Sequence, residues 1–176
     1  MDGPADQARG LLFNRKHTLL DPYAKAVTGQ RNWGEKPEGG KDFVYKARVV
    51  QSDFDWGRYR NLNYKFEDLV IYEMHVRGFT KDASSGVKGG GTFEGLRQKI
   101  PYLKDLGINA VELMPIFEFD EMESARVVDG VQLYNYWGYN TVSFFAPNTS
   151  YAFHQEHNHE GCLLYTSPSP RDRSLS

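Results

Sequence analysis

The sequence predicts an α/β protein that begins a parallel sheet or barrel, and three consecutive segments carry this prediction. Residues 69–76, LVIYEMHV, start with four apolar residues, which is typical of a strand buried on both faces of a parallel sheet. Residues 93–106 place apolar side chains at steps of three and four, which indicates an amphipathic helix. Residues 108–115, INAVELMP, are predicted to form a second buried strand. One such βαβ unit buries too little apolar surface alone, so it implies a larger sheet or barrel of which this chain holds the beginning.

Individual residues set the boundaries of the predicted helix. Thr92 is expected to be its N-cap, and Glu94 places a negative charge in its first turn. Pro101 lies inside the apolar stripe and should kink or split the helix, because proline removes a backbone donor. Gly107 is expected at the C′ position, where a left-handed conformation ends many helices.

The residues before this unit predict mainly irregular structure. Residues 22–27 follow a turn signal and are compatible with one helical turn, and the glycine-rich segment 28–42 is predicted to be a loop. Residues 43–50, FVYKARVV, are rich in β-branched and aromatic residues and predict a strand. Residues 51–68 show no sustained period, which favours a surface linker.

The residues after the unit divide into two parts. Residues 116–153 are predicted to be a long irregular segment without a clear helix, and its many aromatic residues favour a functional loop over disorder. Residues 154–176 change abruptly to a Ser-, Pro- and Arg-rich composition, so we expect a non-native or disordered tail there.

Length and composition exclude several classes of protein. A chain of 176 residues allows one domain, or a small domain with part of another. A net charge of −2 provides no basic surface for nucleic acid, and no apolar run is long enough to predict a membrane span. The single cysteine excludes an internal disulfide, and the first residues lack the pattern of a signal peptide. We therefore expect a cytoplasmic protein.

A glycine run precedes the predicted helix, at Gly89–Gly91. Free N–H groups at a helix start attract phosphate, but the patterns G-x-x-x-x-G-K-[ST] and G-x-G-x-x-G are both absent. A mobile loop on the face of the sheet or barrel is the favoured interpretation.

Two clusters of ionisable residues are candidates for a metal site and for a catalytic site. His154, His157 and His159 have a spacing that could ligate zinc, but they adjoin the suspect tail, so we predict no metal and no cofactor. The segment 119–123, FDEME, supplies the paired carboxylates that glycosidases use. Adjacent acids on a loop are usually solvated, and a surface location is the prediction for Glu121 and its neighbours.

The segment NYWGYN, residues 135–140, is the strongest candidate for a ligand site. Tyr136, Trp137 and Tyr139 surround Gly138, which lets the chain turn tightly and present the rings. Aromatic rings pack well against the apolar faces of sugars. A core cluster beneath a loop is the alternative that composition leaves open.

Four segments together resemble the isoamylase and glycogen-debranching branch of the α-amylase superfamily. They are LLFNRKHTLLDPYAKAV, LVIYEMHVRGFT, GTFEGLRQKIPYLKDLGINAVELMPIFEF and NYWGYNTVSFFAPNTSYA, and the resemblance runs from about residue 10 to residue 153. It implies an incomplete (β/α)₈ TIM barrel, with residues 61–153 as its start. Residues 1–60 would be the end of a preceding β-sandwich domain with its linker, and residues 154–176 the tail.

The resemblance also implies a substrate and site residues. The partner would be an α-glucan such as glycogen, starch or a malto-oligosaccharide, and Tyr139 matches the tyrosine that stacks on the sugar beside the scissile bond. Tyr136, Trp137 and Glu118 are predicted as further substrate-binding residues.

The resemblance does not extend to the catalytic residues. The nucleophilic aspartate, the acid/base glutamate and the D-x-x-x-N-H segment of this family have no match in residues 116–176. The full-length protein would cleave α-1,6 branches by the retaining two-carboxylate route, and this chain is expected to be inactive. A non-catalytic carbohydrate-binding module is the alternative. Open sheet edges also predict an aggregation-prone isolated chain.

Overall fold

The computed structural model describes residues 6–11, 18–28, 32–35, 44–50 and 62–153. Within these ranges the chain forms six short strands and three short α-helices. The predicted tail lies outside the described residues. No helix in the described part is long and apolar enough to cross a membrane.

The predicted βαβ unit is confirmed, with shorter strands. β1 (Ile71–Met74) pairs in parallel with β2 (Ala110–Leu113), and Ile71 lies opposite Ala110 in the register. The expectation that the first strand is buried on both faces and that the second is buried is wrong, because Ile71 and Val111 are nearly half-exposed. Each strand has a single hydrogen-bonded neighbour within the described residues, so little packs against the outer parts of the pair.

A short helix that the sequence pattern does not predict follows β1 directly. α1 (Val76–Thr80) begins after His75, whose Nδ1 accepts hydrogen bonds from the N–H groups of Arg77 and Gly78, both at 3.1 Å. Arg77 and Gly78 therefore lie in a helical turn at the carboxyl end of β1. Five residues are too few to give a periodic pattern, which is why the helix escaped prediction.

The long helix predicted over residues 93–106 is split, as Pro101 led us to expect. α2 (Phe93–Gln98) and α3 (Ile100–Asp105) meet at Lys99, and Pro101 occupies the first turn of α3. The Oγ1 of Thr92 accepts from the N–H of Gly95 at 3.3 Å, which confirms the predicted N-cap. Gly107 has a φ of +86°, which confirms the predicted C′ glycine.

The segment after Pro115 is more regular than predicted. β3 (Phe117–Phe119) pairs antiparallel with β6 (Thr141–Pro147), with irregular register on both sides of Glu118. β4 (Arg126–Val128) and β5 (Val131–Leu133) form a hairpin between them. Strands of three residues, such as β3, β4 and β5, give no recognisable alternation, whereas the seven residues of β6 form a strand that the sequence analysis did not predict.

The residues before the βαβ unit do not form the predicted strand at 43–50. Residues 44–50 contain one isolated bridge, between Val27 and Ala47, and residue 43 lies outside the described ranges. The helical turn considered for residues 22–27 is also absent, since this segment has a turn and the same bridge. Within the described residues, no strand pairs with this segment beyond that bridge, and β-branched residues alone do not form a ladder.

Two apolar clusters hold the described parts together. One contains Val76, Phe93, Phe119 and Tyr151, so it joins α1, α2, β3 and the segment after β6. The other contains Ala24, Val27 and Ala146, and it fixes the early residues against β6.

Candidate functional site

The aromatic residues predicted to bind sugar lie on a tight turn between β5 and β6. Gly138 at its centre has a φ of +74° and is buried. A Cβ at this position would lie 2.5 Å from the ring of Phe119, so only glycine fits without movement. The Oδ1 of Asn135 accepts from the N–H of Gly138 at 3.4 Å, which supports the turn from within. The backbone of the motif is therefore closely packed.

The three rings of the motif differ in exposure. Trp137 is 54% exposed and Tyr139 is 72% exposed, whereas Tyr136 is partly buried beneath them. The rings of Tyr136 and Trp137 meet edge to face, with their centroids 5.2 Å apart. Two large aromatic rings of the motif are thus exposed in the described structure, and their role as a ligand surface stays a prediction.

His75 lies against the motif and was not singled out from the sequence. Its ring stacks on the ring of Tyr136 with centroids 4.1 Å apart, and its Nε2 lies 2.8 Å from the carbonyl oxygen of Tyr136. Burial lowers the pKa of His75, and the neighbouring positive charge of Arg77 lowers it further, against the opposing effect of the hydrogen bond to Tyr136. A residue between a strand and a helix is a possible N-cap, but nothing local indicates a partner 61 residues away.

Two further aromatic residues, Tyr151 and Trp33, pack next to His75 and Tyr136. Tyr151 is fully buried, and its hydroxyl lies 3.3 Å from the Nε2 of His75. The ring of Trp33 stacks on Tyr151, and the guanidinium of Arg77 lies 4.5 Å from the centre of the Trp33 ring. Burial raises the pKa of Tyr151 above its ordinary value, so the hydroxyl stays protonated.

The surface location predicted for Glu121 is wrong. Glu121 is fully buried, and its Oε1 accepts hydrogen bonds from the Oγ of Ser150 at 2.6 Å and from the Nδ2 of Asn148 at 3.3 Å. Burial raises the pKa of Glu121 to about 7, although these hydrogen bonds oppose the shift. The polar segment after β6 provides the partners, and its distance along the chain hid them from sequence reasoning. The neighbouring acids Asp120 and Glu123 are half-buried and exposed, respectively.

Glu118, predicted to touch the glucan, is also fully buried. Its Oε2 accepts from the N–H of Thr149 at 2.8 Å, and its Oε1 has no hydrogen-bond partner among the described residues. Burial raises the pKa of Glu118 well above its ordinary value, and the charge of Glu121 contributes in the same direction. The structure thus places Glu118 behind the motif, and its contact with substrate stays a prediction.

The glycine run before α2 has a packing role. The N–H of Gly91 donates to the Oγ1 of Thr80 at 2.9 Å, and a Cβ on Gly90 would lie 2.5 Å from the carbonyl oxygen of Thr80. The close approach of the Thr80 backbone therefore accounts for glycine at position 90, and a φ of +87° accounts for glycine at position 91.

The histidine cluster weighed as a zinc site, from His154 to His159, lies outside the described residues. Among the residues that the structure does describe, no group of three or more His, Cys, Asp or Glu side chains could hold a metal ion.

The chain is similar to chloroplastic isoamylases and to glycogen operon protein GlgX homologs. It is 46% identical over 154 residues to the chloroplastic isoamylase 3 of rice, a match that covers 85% of this chain and 20% of the relative. It is 35% identical over 169 residues to a glycogen operon protein GlgX homolog of Mycobacterium tuberculosis, a match that covers 85% of this chain and 23% of the relative. No family model matches the chain. The chain thus spans about a fifth of the length of these relatives.

Solved structures similar to this chain include pullulanases. The group B Streptococcus pullulanase SAP in complex with maltotetraose superposes with a TM-score of 0.57 at 29% identity, over 78% of this chain and 19% of the pullulanase. The pullulanase of Anoxybacillus sp. LM18-11 superposes with a TM-score of 0.58 at 28% identity, over 82% of this chain and 20% of the other. The chain therefore belongs to the isoamylase and glycogen-debranching branch of the α-amylase superfamily, of whose members it spans part of the length.

Proposed function

We propose that this chain is part of an α-glucan debranching glycoside hydrolase and that its aromatic motif forms one wall of the glucan site. The observation that carries the proposal is the pair of exposed rings, Trp137 and Tyr139, on a closely packed turn. The apolar faces of glucose units stack on such rings, and Tyr139, the more exposed of the two, is assigned the main contact. Malto-oligosaccharide is the favoured ligand, because a pullulanase of the same fold is known in complex with maltotetraose.

The rest of the protein would complete a barrel around the βαβ unit. Strands β1 and β2 are parallel and adjacent, and α2 and α3 lie between them in the chain, as in the first repeat of a (β/α)₈ barrel. Residues 61–153 are assigned to this barrel start and residues 1–60 to the end of a β-sandwich domain. The exposed outer faces of Ile71 and Val111 are surfaces that neighbouring barrel elements would cover.

The chain itself is proposed to be inactive. Retaining hydrolysis needs two carboxyl groups that flank the scissile bond. The carboxyl groups of Glu118 and Glu121, which lie near the motif in sequence, are buried and hydrogen-bonded to the segment after β6. They are assigned to holding that segment behind the motif, without a part in bond cleavage.

A chimera tests the proposed site. In rice isoamylase 3, the matched segment is replaced by residues 10–153 of this chain, and release of reducing ends from glycogen is measured. We expect an active chimera in which Tyr139→Ala lowers kcat/KM at least about tenfold, because the stacking contact is lost. Tyr64→Ala, at an exposed tyrosine before β1, is the matched control and should leave kcat/KM unchanged. An active chimera that tolerates Tyr139→Ala would exclude the stacking role.

A carbohydrate-binding module without catalysis is the second candidate, and the same exposed rings favour it. It requires that the 176-residue chain bind maltotetraose by itself, which a change in tryptophan fluorescence would report. The debranching proposal expects neither binding nor release of reducing ends from the isolated chain. Release of reducing ends by the chain alone would contradict the proposed inactivity.

A further inference from the structure

His75 connects the βαβ unit to the aromatic motif. It follows the last residue of β1, and its side chain is buried. Its ring lies parallel to the ring of Tyr136, with an angle of 9° between the planes. The Trp137 ring stands edge-on to it, with centroids 6.2 Å apart. The imidazole is thus a packing surface for the half of the motif that lies before Gly138.

Both nitrogens of the ring are engaged, and the network assigns the proton. Nδ1 accepts from the N–H groups of Arg77 and Gly78, so it carries no proton. Nε2 then bears the proton and donates to the carbonyl oxygen of Tyr136 at 2.8 Å. One nitrogen therefore caps α1, and the other holds the backbone of the motif.

The motif is fixed at two points on opposite sides of Trp137. Before it, the carbonyl of Tyr136 is held by His75, and after it Gly138 packs against Phe119. The hydroxyl of Tyr136 also lies close to Gly78, where an added Cβ would be 2.3 Å away. Loss of the first point would leave the Tyr136 peptide free to rotate, and the directions of the two exposed rings would change with it.

The electrostatic surroundings keep the ring neutral. Among the described residues, Tyr136 from the motif and Tyr151 from the segment after β6 contact the ring with their side chains, and the positive charge of Arg77 from α1 acts on it. Burial and the positive charge of Arg77 lower the pKa of His75. A second proton would place an N–H at Nδ1 against two N–H donors, so the neutral form is the one that fits the site.

We infer that His75 is a positioning residue for glucan binding, which holds the carbonyl of Tyr136 so that Trp137 and Tyr139 present their rings to the sugar. The inference rests on the proposed function for its purpose, but its structural part stands on the contacts of His75 alone. Capping of α1 is a separate role of the same side chain, and the two roles depend on different nitrogens. They can therefore be separated by substitution.

Two amide substitutions divide the roles. In His75→Asn the side-chain oxygen reaches the position of Nδ1, so the cap is retained and the link to Tyr136 is lost. In His75→Gln the longer amide reaches the position of Nε2, so the link is retained and the cap is weakened. The full chain is labelled with 5-fluorotryptophan, and the Trp137 resonance is assigned with Trp137→Phe. Amide hydrogen exchange over residues 76–81 reports the cap.

We expect His75→Asn to move the Trp137 resonance toward the random-coil shift while exchange over residues 76–81 changes less than about threefold. His75→Gln should retain the Trp137 shift and speed exchange over the same residues about tenfold. An unchanged Trp137 resonance in His75→Asn would overturn the inference. So would equal loss of both signals in the two variants, or a Trp137 resonance that is already at the random-coil shift in the unsubstituted chain.

The same substitutions in the rice isoamylase chimera give the functional measurement. His75→Asn should raise KM for glycogen about tenfold, and His75→Gln should restore it to within about twofold of the unsubstituted chimera. A chimera without activity, together with the expected fluorine and exchange results, would remove the proposed function and leave the positioning role intact. An active chimera whose KM is unaffected by His75→Asn would overturn the link to glucan binding.

Discussion

The βαβ unit and a polar region formed by Glu118, Glu121 and residues 148–150 differ in burial. The difference is the opposite of what their sequences predict. The strands of the βαβ unit come from apolar runs of the sequence, yet Ile71 and Val111 are nearly half-exposed. In the polar region, the side chains of Glu118, Glu121 and Asn148 are fully buried or nearly so. Apolar composition shows which residues gain from burial, whereas burial itself depends on the surfaces that the rest of the chain brings against them.

Hydrogen bonds stabilise the polar region, although the Oε1 of Glu118 has no partner among the described residues. Burial of a polar group such as an amide or hydroxyl without a hydrogen bond costs roughly 2–7 kcal/mol, and burial of an ionised carboxylate costs more. Here Glu118 accepts from the backbone of Thr149, and Glu121 accepts from Ser150. The exposed apolar side chains of the βαβ unit need no hydrogen-bond partners. Their exposure costs little more than the free energy that burial would have provided.

The largest effect is expected where the aromatic motif packs on β3. Gly138→Ala combines the strain of a positive φ with the contact of a new Cβ on Phe119, so it should lower the free energy of opening of the β3–β6 pair by about 4 kcal/mol. Gly130→Ala is the matched control, because Gly130 has a φ of +80° but nothing within 4 Å of a new Cβ. Its cost should be about 1 kcal/mol. Amide hydrogen exchange measures the loss in free energy of opening for each variant. Equal losses in Gly138→Ala and Gly130→Ala would show that the contact with Phe119 is unimportant.

The next effect concerns pH. The folded protein raises the pKa of Glu121 from 4.5 to about 7, so folding favours the protonated form. The contribution of Glu121 to the free energy of unfolding is fully present below about pH 4.5. It is lost as the pH rises through about 7, and the free energy of unfolding falls by at most about 3 kcal/mol. Glu121→Gln should reduce this pH dependence, as measured by hydrogen exchange of the segment after β6. Glu123→Gln leaves Glu121 in place and should retain it; an identical response of the two variants would contradict the assignment.

The smallest effect distinguishes the two sides of α3. Leu103 is buried and Leu106 is about half-exposed, although both belong to the same predicted apolar stripe. Leu103→Ala should lower the free energy of opening of the α2–α3 segment by about 2–3 kcal/mol, whereas Leu106→Ala should lower it by less than about 1 kcal/mol. Hydrogen exchange over residues 93–107 measures both costs. Equal costs would mean that the outer face of α3 is covered by residues beyond those described.

Features that depend on neighbouring residues could be predicted from the sequence. The N-cap at Thr92, the division of the helix near Pro101 and the glycine end at Gly107 each follow from the stereochemistry of one residue within one turn of helix. The parallel pairing of β1 and β2 follows from two apolar runs on either side of a helix. The aromatic residues around Gly138 were grouped by their local spacing, and their role as a ligand site stays a prediction.

Features that depend on distant partners were decided by the tertiary structure. Glu121 was predicted to be solvated, because the hydroxyl that pairs with it lies 29 residues further along the chain. His75 looked like an ordinary strand residue, and its contact with Tyr136 spans 61 residues. The sequence by itself thus determined the turns, the helix ends and the composition of the aromatic motif, since these are set by local backbone stereochemistry. The tertiary structure decided which polar groups are buried and which residues hold the aromatic motif, because the fold brings groups that are distant in the chain within hydrogen-bond distance.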